Sequence, residues 1–139
     1  MKKILPVLMA ALVGLAGCSK KDSTAAQPAP APLEGTWTFQ SESVLTTPRN
    51  GTAPSTAKGP NLAGSYTITF GTNGTLTSRM GSTVSNNPYT YSGNIITIPI
   101  TSTKTQTLTV AELTAARLVL VEQTDDTANR YTTTDTFTR

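Results

Sequence analysis

The feature that most constrains this chain is the alternation of threonine with large apolar residues, as in Thr36-Trp37-Thr38-Phe39 and Tyr66-Thr67-Ile68-Thr69-Phe70. Successive side chains of an extended strand point to opposite faces, so each run collects its apolar residues on one side and its hydroxyls on the other. A helix would scatter the same residues around its circumference. Threonine makes up about a fifth of the chain, and its branched Cβ suits a pleated strand better than a helix. A disordered Thr-rich stalk would lack the interleaved Trp, Phe, Tyr, Ile, Leu and Val.

From Leu33 onward the alternation is broken at short intervals by Gly, Pro, Asn and Asp, the pattern of consecutive short strands in a sandwich or barrel. Eight strands are expected: Gly35 to Leu45, Ser65 to Phe70, Thr75 to Met80, Tyr89 to Tyr91, Ile95 to Ile100, Lys104 to Val110, Arg117 to Gln123 and Tyr131 to Thr138. A long polar loop is expected over Thr46 to Ala63. The clearest hairpin joins the second and third strands through Asn73-Gly74, a pair that readily supplies positive φ. Pro99 marks a frayed or peripheral end, and no stretch sustains helical periodicity. An open sheet of this size would expose two edges, which closure removes. The expected fold is therefore all-β, a small antiparallel up-and-down β-barrel of about eight strands.

The apolar face of that barrel comprises Phe39, Tyr66, Ile68, Phe70, Leu76, Tyr89, Tyr91, Ile96, Ile98, Leu118, Leu120 and Phe137. Alternation marks these as inside residues without separating a packed core from a hollow one. Tyr66, Tyr89 and Tyr91 are the polar handles, because a phenol inside a barrel needs a hydrogen-bond partner.

The N-terminus reads differently. Met1-Lys2-Lys3 is basic, Ile4 to Ala16 is an apolar stretch too short to span a bilayer, and Leu15-Ala16-Gly17-Cys18 follows. This resembles a lipoprotein signal with its lipobox. The resemblance implies that residues 1–17 are removed and that Cys18 carries the lipid that tethers the protein to a membrane. Ser19 after the cysteine is similar to signals that favour the outer membrane of a Gram-negative envelope. Residues 18–32 then form a lipidated N-terminus and a flexible Pro/Ala tether ahead of a single domain over residues 33–139. The Pro-Ala alternation favours an extended path of about 3.1 Å per residue, which holds the domain on the order of 40 Å from the membrane.

The body resembles the lipocalin-like domains of bacterial lipoproteins. Leu33-Glu34-Gly35-Thr36-Trp37 is similar to the Gly-x-Trp opening of the first lipocalin strand, and Ile68-Thr69-Phe70 leading into Asn73-Gly74-Thr75 is similar too. So are Leu113-Thr114, Leu118-Val119-Leu120 and the Phe137-Thr138-Arg139 segment. In lipocalins an arginine after the last strand covers the tryptophan of the first and seals one barrel end. The likeness thus implies a structural pairing of Arg139 with Trp37. The chain departs from the secreted pattern in lacking the Thr-Asp-Tyr motif and the disulfide cysteines.

Several chemistries lack their residues. The chain has no His and one Cys, so a disulfide is excluded, and a zinc, copper or haem site would lack its usual ligands. No metal or other cofactor is expected. Removal of Lys2 and Lys3 leaves nine basic residues against eight acids, scattered rather than clustered, which argues against nucleic acid as a partner. Glu34, Glu42, Glu112 and Glu122 show no pairing suited to acid/base work and are expected as solvated surface charge. The expectation is a non-enzymatic, membrane-anchored lipocalin-like protein that binds a small apolar or amphipathic ligand at the cell envelope. The alternative is a solid barrel acting as an envelope interaction or structural module through its Thr46 to Ala63 loop.

Overall fold

The alternation of the sequence becomes ten antiparallel strands in the computed structural model, which describes residues 31–60 and 62–139. The expectations on residues 1–30, Cys18 among them, lie outside the described residues. The strands are β1 (Gly35–Pro48), β2 (Ser55–Lys58), β3 (Tyr66–Phe70), β4 (Thr75–Met80) and β5 (Thr83–Pro88). They continue with β6 (Thr90–Ser92), β7 (Ile95–Pro99), β8 (Thr105–Leu113), β9 (Arg117–Asp125) and β10 (Asn129–Thr138).

The hydrogen-bonded order is β5-β4-β3-β1-β10-β9-β8-β7-β6, with β2 on β1 off this path. The two ends of the order, β5 and β6, follow one another in the chain with only Tyr89 between them. One segment therefore leaves β4 and takes up β7, and the sheet is a nearly closed barrel. Counting β5 and β6 as one interrupted strand and setting β2 aside gives eight positions around it.

Tyr89 pins this seam. Its backbone N–H donates to the Gly74 carbonyl at 2.8 Å, its hydroxyl donates to the Gly71 carbonyl at 3.0 Å, and its ring meets Phe70 edge-on at 5.1 Å. The β3–β4 turn that accepts these bonds depends on Gly74, whose φ of +75° is strained for any residue with a Cβ. Asn73 supports the turn by accepting the Thr75 N–H on its side-chain oxygen.

The register delivers the alternating residues to one interior. Trp37 opposes Ile68, Phe39 opposes Phe137, Phe137 opposes Leu118 and Ile96 opposes Leu108. Trp37, Phe70, Ile96, Ile98, Leu118 and Phe137 are almost wholly removed from solvent. Each such side chain contributes on the order of 1.5–3 kcal/mol relative to an exposed one.

Four departures from the sequence-based expectations have physical reasons. The stretch expected as a loop from Thr46 to Ala63 contains a strand pair: β1 runs on to Pro48, and Ser55–Lys58 folds back on Ser43–Thr46. All four residues of β2 are exposed, so it carries no apolar alternation to read. Strand β5 was likewise hidden, because Thr83-Val84-Ser85-Asn86-Asn87-Pro88 lacks an apolar face and is held by backbone pairing to β4. Tyr91 was expected inside, yet it is 40% exposed. By register it lies opposite Ile96, but β6 is only three residues long and has β7 as its one hydrogen-bonded neighbour among the described strands, which places the ring at the edge of the sheet. Finally, β1 contains a bulge at Gln40: Phe39 opposes Phe137 but Ser41 opposes Thr136. The extra residue shifts the alternation and brings Glu42, rather than Ser41, opposite Asp135.

Candidate functional site

One end of the barrel is sealed. The guanidinium of Arg139 lies 3.8 Å from the centroid of the Trp37 ring and donates to the Pro32 carbonyl at 2.8 Å. The indole N–H of Trp37 donates to the Leu33 carbonyl at 2.8 Å, which satisfies its one polar atom in a site with no solvent exposure. A Cβ on Gly35, where φ is +123°, would sit 3.6 Å from the guanidinium. The Gly-x-Trp opening thus lets the chain turn beneath the arginine. A stacked cation of this kind contributes about 0.5–2 kcal/mol, depending on desolvation.

Above this plug the barrel holds a cavity of about 130 Å³. Seven of the twelve residues expected on the apolar face line it: Tyr66, Ile68, Phe70, Leu76, Ile98, Leu120 and Phe137. Phe39 faces an adjoining groove of about 140 Å³, which shares Tyr66 and Asp135 with the cavity. Phe39, Tyr66 and Phe137 form an aromatic cluster with ring centroids 5.7–6.1 Å apart. Tyr89, Ile96 and Leu118 are buried in the core away from the lining, so Tyr89 serves the seam rather than the cavity.

The mouth is polar, and here the expectations fall short. Ser78, Asn87, Gln106, Glu122 and Asp135 are the polar members of the lining, which Ile100 and Leu108 complete, while Glu42 lines the adjoining groove with Asp135. Glu42 and Glu122, expected as solvated surface charge, are both partly buried. The reason for Glu122 is its place two residues beyond inward-facing Leu120 on β9, where its carboxylate accepts from the Gln106 amide at 3.0 Å. The reason for Glu42 is the Gln40 bulge. Glu34 and Glu112 are exposed, as expected.

Asp135 is the most perturbed of these groups. One carboxylate oxygen, Oδ1, is shielded from solvent and has no hydrogen-bond partner. Burial first, then the charges of Glu42 and Glu122, push its carboxyl up to about 6. The period-two spacing from Phe137 puts Asp135 on the inward face, but nothing around Thr134-Asp135-Thr136 signals the neighbouring charges, which come from β1 and β9.

Three of the exposed acids elsewhere, Asp125, Asp126 and Glu112, are partnered. Asp125 pairs with Arg130 and Arg49, each at 3.0 Å, and the hydrogen bond from Arg130 is the main reason its carboxyl lies below the usual range. Asp126 accepts the N–H groups of Ala128 and Asn129 at 2.7 and 2.6 Å, closing the β9–β10 turn. Arg117 pairs with Glu112 at 3.2 Å. Among the described residues, no three His, Cys, Asp or Glu side chains are placed to hold a metal ion.

The model of the lipocalin-like domain family matches residues 33–120. This chain belongs to that family. The match covers the lipocalin-like barrel from Leu33 through the first part of β9, so Glu122, Asp135 and Arg139 lie beyond it. No curated protein matches the chain. A solved structure similar to the lipocalin-like chain is a protein of unknown function from the DUF3598 family of Nostoc punctiforme. It is 14% identical over 83% of this chain and 53% of that one, with a TM-score of 0.33. The chain spans about half the length of that protein, and a score so low carries nothing over to function.

Proposed function

We propose that this lipocalin-like protein is a lipid-anchored binding protein of the cell envelope, not an enzyme, and that it holds one small amphipathic molecule by its apolar part inside the barrel. The observation that carries this reading is the 130 Å³ cavity, whose lining joins apolar side chains to the polar groups of Gln106, Glu122 and Asp135. Ligand pockets for drug-sized molecules run to about 300–1,000 Å³, whereas an apolar cavity of about 150 Å³ accepts benzene. The occupant is accordingly no larger than a single ring or short chain, with its polar end at the rim. The anchor rests on Cys18 and the signal-like residues before it.

Native mass spectrometry of the full-length protein, purified in mild detergent from its own host, tests the binding reading. The expected result is a small adduct that disappears on denaturation. A protein that stays ligand-free, and takes up none of a panel of ring-sized amphiphiles, makes the barrel a solid envelope module instead. Metabolic labelling with a fatty acid tests the anchor: the wild type incorporates label and Cys18→Ser does not. Label retained by Cys18→Ser would refute lipidation at that residue.

A further inference from the structure

We propose that the barrel mouth selects a cation, so that the ligand is a small organic amine whose apolar part enters the cavity and whose ammonium group sits among Asp135, Glu122 and Glu42. This deepens the binding reading above and rests on it.

Three observations converge. The first is the cavity itself, whose floor is made by Phe70, Ile98, Leu120 and Phe137, while Glu122 and Asp135 line the same space nearer its opening. The second is the unpartnered Oδ1 of Asp135. A buried acceptor without a donor is costly, and an ammonium group brings three donors.

The third is the missing counter-charge. Asp125 and Glu112 have arginine partners, yet among the described residues no Lys or Arg pairs with Asp135, Glu42 or Glu122. The groups that face Asp135 are Glu42 from β1, Glu122 from β9 and the phenol of Tyr66 from β3. Gln106 on β8 donates to Glu122 and leaves its charge in place. Lys58 lies with Glu42 along a separate surface groove. Neither cavity lining contains a Lys or Arg.

A neutral or anionic ligand would leave this charge uncompensated or add to it. Among the described residues no three His, Cys, Asp or Glu side chains are placed to hold a metal ion. An ammonium group asks less of the site: one charge-assisted hydrogen bond to Asp135 suffices, while the charges of Glu122 and Glu42 act on it at longer range. Burial first, and then the charges of Glu42 and Glu122, raise the proton affinity of Asp135, so that with no cation present a proton is the available counter-charge.

Isothermal titration of the full-length protein in neutral-detergent micelles, with micelles alone as the blank, compares benzylamine, benzyl alcohol and benzoate. These share a ring that suits the cavity and differ in the charge at the rim. At neutral pH benzylamine should bind at least about tenfold more tightly than benzyl alcohol, with benzoate weakest. The preference should shrink below about pH 6, where Asp135 takes up a proton. In Asp135→Asn the preference for the amine should collapse while benzyl alcohol still binds. Equal affinity for amine and alcohol, or a preference undiminished in Asp135→Asn, overturns cation selection and leaves the cavity reading standing. Failure of all three probes to bind removes both.

Discussion

Replacing Asp135 by asparagine should stabilise the free protein at neutral pH and leave it unchanged in acid. The folded state holds the Asp135 proton more tightly than the unfolded chain does, since burial and two neighbouring carboxylates raise its carboxyl to about 6. A raised carboxyl makes no demand below the unfolded value and becomes a growing penalty as pH climbs to the folded value. At about 1.4 kcal/mol per tenfold change in proton affinity, the elevation sets a ceiling of about 3 kcal/mol. Screening at a partly exposed carboxyl lowers the expected penalty to about 1–2 kcal/mol. Asparagine keeps the shape and removes the charge. Urea unfolding of both proteins at about pH 7.5 and about pH 3 reads the difference: a gain of about 1–2 kcal/mol for the variant at the higher pH, and no gain at the lower, which lies below the unfolded carboxyl value. The effects of Asp125 and Asp126 are common to both proteins and cancel. Equal stability at the higher pH, or the same gain in acid, would refute the charge argument.

At the sealed end, Trp37→Ala should cost about 3–5 kcal/mol through the void it leaves, measured as a fall in denaturation midpoint. Arg139→Ala, which removes the stacked cation and the bond to Pro32, should cost about 0.5–2 kcal/mol. A larger loss from Arg139→Ala than from Trp37→Ala would contradict the assignment of the tryptophan as the packed member of the pair. At the seam, Tyr89→Phe removes the hydroxyl bond to Gly71 and should cost about 0.5–1.5 kcal/mol. Amide exchange should accelerate in β5 and β6 while β9 and β10 stay protected; uniform acceleration would mean that the seam does not open separately.

Much of the barrel is legible in the chain because Thr-x-Thr alternation encodes sidedness directly. Ile68, Phe70, Leu118, Leu120 and Phe137 could be placed inside from their spacing alone. What could not be read is what depends on neighbours distant in sequence. The bulge at Gln40 reverses which of Ser41 and Glu42 faces Asp135, and no local pattern in Phe39-Gln40-Ser41-Glu42 requires it. β2 and β5 are held by backbone pairing on polar residues, so their formation depends on β1 and β4 being present. The residues of the cavity floor can therefore be placed inside from the sequence, whereas the void they enclose and the meeting of Glu42, Glu122 and Asp135 beside it depend on strands that are distant in the chain.

The pairing of β1 with β10 also governs when the molecule can come into being. Thr38 sits against Thr138 and Phe39 against Phe137, so the contacts that close the barrel join opposite ends of the domain. Non-local pairings of this kind must overcome a large loop-closure entropy before they gain anything, which makes folding slow. A growing chain that has exposed β1 through β9 still lacks the strand that covers Phe39, and its β1 edge stays open to other partners. Folding of the closed barrel therefore waits for β10, however much of β1 through β9 is already in place.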